Sequence, residues 1–391
     1  MKNILVISDC PRRGGSTGLT GAFVAGLSAI AESCKVDLFD TSFFTSHKGT
    51  DYKARYYYKM PGRLVDKIGL SIPHLSAWYK ESVICKKLTS ILKNVKYELI
   101  VVYQVPLYSD RLVEIAHRYG VKTLLRPWGS EVLRVNDNVK KRLLKAYSET
   151  DFVGGDPETN VIQNAINVYG VQVPKIVNLA AGLPGVRKLM ETKGTLTKEE
   201  MKKTLDIPFD SNVIVCGYNA YAGQHHPEII DQISSIKQYL PNNTLLVFLL
   251  TYGGDDRLAY IEVLKQQCEQ KGIKALFYSD FLTAEQMAYL HLVTDMFINV
   301  QPTDSGNAFL VEALYSENTV ICGKWLDYPQ LQKYGVPFYQ CESLDTLGET
   351  IKGIITGAST KIVVPKKLTE EWTAKNRITF KDRWTDFLNK I

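Results

Sequence analysis

The stretch Asn299-Val-Gln-Pro-Thr-Asp304-Ser-Gly-Asn-Ala-Phe-Leu-Val-Glu312-Ala-Leu314 decides how this chain is read. An apolar run, Asp295-Met-Phe-Ile-Asn-Val300, leads into it, and a second, Thr319-Val-Ile-Cys-Gly323, follows. The pattern predicts strand, acidic loop, helix, strand. The turn Ser305-Gly306-Asn307 opens the helix, whose first N–H groups have no intrahelical acceptor and receive a phosphate well. Asp304 and Glu312 stand eight positions apart, one at the sheet edge and one about two turns away on the same side. A diphosphate on the helix end, with carboxylates beside it for sugar hydroxyls, is a way to hold a nucleotide-sugar. A surface Asp in a turn and a solvent-facing helix Glu give the same spacing.

Composition frames the rest. The chain has 391 residues, 45% of them hydrophobic and 23% charged, which predicts an ordinary globular protein of two or three domains. No uncharged apolar stretch reaches the roughly 18 residues that a membrane span needs. Met1-Lys-Asn-Ile-Leu-Val-Ile-Ser8 is too short an apolar run for a signal peptide and reads as a first buried strand. The seven cysteines are scattered, with no CxxC and no Cys/His cluster, so neither a disulfide framework nor a zinc site is expected. These features predict a reduced, cytoplasmic protein without a bound metal or cofactor.

Apolar strands alternate with helical periodicity twice over. The first series expects strands at 3–8, 36–39, 99–103, 122–125, 152–155 and 175–178. The second expects them at 212–217, 244–251, 274–278, 296–300, 320–323 and 336–339. Strands alternating with helices imply parallel sheets covered on both faces, in two doubly wound domains with ligand crevices at the carboxyl ends of the strands. The expected division is a first domain over 1–182, a link over 183–207 and a second domain over 208–368. The spacing of Trp372, Phe380, Trp384, Phe387 and Leu388 predicts an amphipathic helix in the tail, 369–391.

The Asp304/Glu312 pair resembles the paired-acid motif of family-4-type glycosyltransferases with the GT-B fold, with Asp304 standing where that family carries glutamate. A second segment, Arg126-Pro-Trp-Gly-Ser-Glu131, resembles the family's Trp-Gly-Ser-Asp segment, with Glu131 in place of Asp. The resemblance implies two Rossmann-like domains facing a central cleft, a tail helix crossing back to the first domain, and metal-independent transfer of a sugar from a nucleotide-sugar to a glycan or lipid-linked glycan. It implies catalytic roles for Asp304, on the donor sugar, and Glu131, and a ribose contact for Glu312. The donor side would be built by Ser305, Gly306 and Asn307, and by Asn219, Gln224 and His225 in the loop after the second domain's first strand. Tyr252, Phe281 and Leu282 would complete it near the base. Gly14 and Gly15 in the first glycine-containing loop, with Gly129 and Ser130, would border the cleft on the acceptor side. The family's usual Arg and Lys are absent from the loop Cys216–Pro227, leaving Gln224, His225, His226 and helix N–H groups to meet the diphosphate.

Between Lys48 and Lys96 stand eleven Lys/Arg against three Asp/Glu, while the whole chain carries a net charge of only +6. Six aromatics, Tyr52, Tyr56, Tyr57, Tyr58, Trp78 and Tyr79, share this stretch. Basic and aromatic residues together suit an anionic membrane surface, which predicts peripheral binding at its inner face. No nucleic-acid-binding motif accompanies them. Two other functions stay open: a sugar-nucleotide epimerase of the same fold, and a catalytically silent partner resembling a transferase.

Overall fold

The structure is a computed structural model that describes residues 2–8, 30–32, 34–41, 56–57, 73–103, 105–179, 183–254 and 256–391. Gly14, Gly15 and most of the basic stretch before position 73 lie outside the described residues. The chain forms two compact units: one from the described residues up to 179 plus Thr379–Ile391, the other running from Gly182 to Ile378.

Among the described residues the first unit holds seven strands: β1 (Asn3–Ser8), β2 (Lys35–Asp40), β3 (Tyr56–Tyr57), β4 (Leu99–Tyr103), β5 (Lys122–Arg126), β6 (Phe152–Gly155) and β7 (Ile176–Asn178). They form one sheet in the order β3-β2-β1-β4-β5-β6-β7, with parallel pairing from Asn3↔Lys35 and Ile4↔Leu99 outward. Central strands of a parallel sheet are covered on both faces, so they must be apolar throughout. Ile4, Leu5, Val6 and Ile7 on β1 and Leu99 to Val102 on β4 are accordingly buried. The helix Pro73–Asn94 buries Ile84, Leu88, Ile91 and Leu92 against this sheet.

The second unit repeats the plan with β8 (Asn212–Cys216), β9 (Thr244–Leu249), β10 (Ala275–Tyr278), β11 (Met296–Asn299), β12 (Thr319–Gly323) and β13 (Tyr339–Cys341). Their order is β10-β9-β8-β11-β12-β13, all parallel, so the order reverses between β8 and β11. A doubly wound sheet opens its crevice at that reversal, beyond the carboxyl ends of the strands. The helix Ala284–Val293 starts on a capping box of Thr283 and Gln286, and the helix Lys198–Thr204 on one of Thr197 and Glu200.

Two expectations about boundaries need correction. The stretch 183–207 is no free link: the helices Pro184–Thr192 and Lys198–Thr204 belong to the second unit and bury Val186, Leu189, Met201 and Leu205. Its polar composition reflects exposed faces of short helices. The tail also divides later than 369. The helix Lys366–Arg377 stays with the second unit through Leu368, and only Phe380–Leu388 joins the first. There Trp384, Phe387 and Leu388 enter the core formed by Ile4, Val6, Leu99, Val101 and Leu124. The Phe387 ring meets Phe152 edge-on at 5.2 Å, and Lys2 Nζ donates to the Leu388 carbonyl. Burying three such side chains stabilises by about 2–3 kcal/mol each.

Candidate functional site

The carboxyl edge of the second sheet gathers the loops that follow β8, β9, β10, β11 and β12. The turn after β11 is the most tightly built. Asp304 is only 7% exposed, and both of its oxygens are occupied. Oδ2 accepts from Asn299 Nδ2 at 3.0 Å, Tyr328 OH at 2.8 Å and Asn307 Nδ2 at 2.6 Å. Oδ1 accepts from the N–H groups of Ser305 at 2.8 Å and Asn307 at 3.2 Å. Burial pushes the Asp304 carboxyl above the ordinary range, and these hydrogen bonds offset that only in part. Asn307 also caps the helix Ala308–Tyr315 by accepting from Leu310 N at 2.8 Å. Gly306 holds φ +80 against Gln330, where a Cβ would stand 2.1 Å from Nε2, so a larger residue there is strained.

The Asp304 carboxylate points inward and orders the turn, as a buried charge must be satisfied from within. Glu312 is enclosed as well: Oε2 lies 2.9 Å from His291 Nε2, and His291 packs on Phe309 with ring centres 4.2 Å apart. The other oxygen rests on Gly185, where a Cβ would stand 1.8 Å from Oε1. The start of the helix Pro184–Thr192 therefore sits on the second acid, an approach that a larger residue would block.

In the loop after β8, Asn219 is buried and its Oδ1 accepts from Tyr221 N at 3.0 Å. Gln224, also buried, donates from Nε2 to Gln301 Oε1 at 3.1 Å, and Tyr218 OH donates to the same oxygen at 3.1 Å. His225 takes left-handed backbone (φ 59), with Nδ1 3.5 Å from Glu228 Oε1. His226 turns inward with Nδ1 3.0 Å from Tyr260 OH, and burial pushes its pKa down to about 3. The Arg257 guanidinium donates to the carbonyls of Leu250 and Ser279, tying the ends of β9 and β10.

Aromatic rings stand on the same edge. Tyr252 after β9 and Phe281 after β10 are 41% and 38% exposed, with rings 5.9 Å apart and parallel to within 6°. Leu282 beside them is buried in the core. Tyr221 lies over Gly253. Sequence reasoning placed Tyr252 and Phe281 here but missed Asn299, Tyr328, His291 and Gln301. A polar Asn in the apolar strand Met296–Asn299 was the one available signal; the other three have no local pattern.

In the first unit, Gly129 follows the end of β5, and its carbonyl accepts from Val132 N and Leu133 N at 2.9 Å each, opening the short helix Ser130–Leu133. The Arg126 guanidinium lies 5.5 Å from the Trp128 ring. The side chains of Ser130 and Glu131 lie outside the described residues, as do Gly14 and Gly15. Among the described residues no three His, Cys, Asp or Glu side chains converge as metal ligands do, and no helix is long and apolar enough to cross a membrane.

No family model matches the chain, and no curated protein matches it. Solved structures match over its full length. A glycosyltransferase from Rickettsia africae ESF-5 superposes with a TM-score of 0.66 at 13% identity, covering 99% of this chain and 97% of that one. Sucrose-phosphate synthase from Thermosynechococcus elongatus gives 0.72 at 12%, covering 100% and 99%. Anabaena HepE, solved in complex with UDP and glucose, gives 0.65 at 11%, covering both chains completely. The architecture is the GT-B fold of glycosyltransferases: two Rossmann-like parallel-sheet units in one chain.

Proposed function

We propose that the protein is a glycosyltransferase that binds a nucleoside-diphosphate sugar on the carboxyl edge of its second sheet and passes the sugar to a glycan or lipid-linked glycan. The observation that carries this reading is the capped turn Asp304–Asn307 at the strand-order reversal of a GT-B fold. The N–H groups at the start of the helix Ala308–Tyr315 would receive the diphosphate and stabilise it as the leaving group, while the acceptor hydroxyl attacks the anomeric carbon. Neutral donors, with no metal, would meet that charge. The half-exposed pair Tyr252 and Phe281 offers flat faces to a base. UDP-sugars are the first candidates, since Anabaena HepE was solved with UDP-glucose. Glu312 would reach a ribose only by exchanging its bond to His291. Ser130, Glu131, Gly14 and Gly15 would serve the acceptor side from the first unit. A cytoplasmic enzyme of this kind would meet its acceptor at an anionic membrane face through the cationic helix Pro73–Asn94.

A second reading, a silent partner that binds the nucleotide without turnover, draws support from one observation: both acids of the pair are engaged internally. Calorimetric titration with UDP, GDP, ADP and dTDP tests nucleotide binding. Release of UDP from UDP-glucose in the presence of glycan acceptors then tests turnover. A ligand at a hundred times its Kd should stabilise the protein by about 2.7 kcal/mol. No binding in the panel would remove both readings, and binding without turnover would leave the second.

A further inference from the structure

The Asp304–Asn307 turn is held from outside its own helix, and the holding groups come from two other elements. Asn299 ends β11, and Tyr328 lies beyond β12. Asn299 Nδ2 donates to Asp304 Oδ2 at 3.0 Å and to Tyr328 OH at 2.9 Å, and that hydroxyl donates onward to Asp304 Oδ2 at 2.8 Å. The three groups close a triangle in which every member is buried. The Tyr328 ring is itself fixed, edge-on to Phe338 with centres 5.7 Å apart. Two residues on, Gln330 fills the space over Gly306. The segment 328–330 thus grips both the acid and the glycine of the turn.

From this geometry we infer that Tyr328 and Asn299 are positioning residues, which lock the acidic turn through Asp304 into its ligand-receiving shape before a ligand arrives. The inference rests on the donor reading above and deepens it. A turn rich in Ser, Gly and Asn samples many conformations when unrestrained, and ordering it at the moment of binding lowers affinity. Asp304 alone cannot prevent this: its bonds to Ser305 and Asn307 are local and move with the turn. The bonds from Asn299 and Tyr328 reference the turn to the sheet, which is the rigid part of the unit. The network also selects one arrangement, because losing either donor leaves part of the buried Asp304 carboxylate unanswered.

The test compares Tyr328→Phe with the wild type in the full chain. The phenyl ring keeps the packing on Phe338 and removes only the hydroxyl. Kd for UDP should rise at least fivefold, and amide exchange at Ser305 and Asn307 without nucleotide should quicken while the helix Ala308–Tyr315 stays protected. Tyr334→Phe is the control, because its buried hydroxyl has no hydrogen-bond partner among the described residues; it should change neither quantity. Asn299→Ser provides a second variant should Tyr328→Phe fold poorly, with the same expectation. A purely structural role would lower the melting temperature and leave Kd and turn exchange unchanged, and that result in both variants overturns the inference alone. Wild-type protein that binds none of UDP, GDP, ADP or dTDP overturns the donor reading and the inference together.

Discussion

His226 enters the second unit fully buried, as the first residue of the helix His226–Ser235, and its neutral ring faces Tyr260. Its pKa of about 3 lies far below the ordinary histidine value of about 6.5. Below pH 6.5 the unfolded chain protonates this ring and the folded chain does not, so folding loses stability as pH falls toward 3, at about 1.4 kcal/mol per pH unit. At pH 5 the loss is about 2 kcal/mol. Asp304 carries the opposite sign. Its raised pKa means that the folded state holds a proton more readily, so its contribution is present at low pH and is lost as pH rises through the folded value. Urea unfolding between pH 7 and 4.5 separates the two. His226→Gln should flatten the acid limb, and Asp304→Asn should steepen it. An acid limb unchanged in His226→Gln would mean that the folded chain protonates this ring as readily as the unfolded chain does.

At the scale of elements, the helix Pro184–Thr192 and the helix Ala308–Tyr315 meet through Gly185 and Glu312, with no room for a methyl group between them. Gly185→Ala should destabilise the protein by about 1–3 kcal/mol by overpacking, although alanine is the better helix former. Adding Glu312→Ala should recover part of that loss, giving a coupling of at least about 1 kcal/mol in a double-mutant cycle read by denaturation. Additive losses would mean that the helix start does not rest on the acid. The helix Pro73–Asn94 carries a different kind of claim. Its acid Glu81 is bound by Arg142 at 2.8 Å and 2.9 Å, whereas Lys86, Lys87 and Lys93 are exposed and Trp78 is 67% exposed. Cosedimentation with anionic vesicles should therefore weaken in the triple variant Lys86→Glu, Lys87→Glu, Lys93→Glu, at about 1 kcal/mol per lysine lost, and should weaken with added salt. Equal recovery with neutral vesicles would remove the membrane docking.

Elements of this size were legible in the sequence because their signals are local. Alternating apolar runs gave the strands, and Ser305-Gly306-Asn307 gave a helix start, which the structure sets at Ala308 with Asn307 as its cap. The short edge strand Tyr56–Tyr57 was missed, since two residues carry no period. The site was legible only as far as its contiguous part. Asp304, Asn307 and Glu312 lie in one stretch, but the groups that hold the Asp304 carboxylate, Asn299 and Tyr328, come from other elements. A sequence shows which carboxylates share a loop and does not show which ones water reaches.

For the molecule as a whole, the same distinction governs the tail. Its apolar spacing announced a helix, but the packed core of the first unit decided where the chain leaves one unit for the other. The chain enters the second unit after Ala181 and returns at Thr379, so the last thirteen residues complete a core whose other members come from the N-terminal half. Trp384 is 1% exposed there, packed with Phe387 and Leu388 against Ile4, Val6, Leu99, Val101 and Leu124 of the sheet. Trp384→Ala should cost about 3–5 kcal/mol in cavity and lost burial, and the cost should fall on the first unit. For a unit of this size that lowers its melting temperature by roughly 10 °C. Scanning calorimetry should then resolve two transitions where the wild type shows them closer together or merged. UDP, if bound as proposed, should raise the upper transition and leave the lower one in place, because its contacts lie between Asn212 and Ile378. A single transition that moves down as one and rises with UDP as one would mean instead that the two units unfold cooperatively, and that damage to the tail is felt at the nucleotide site.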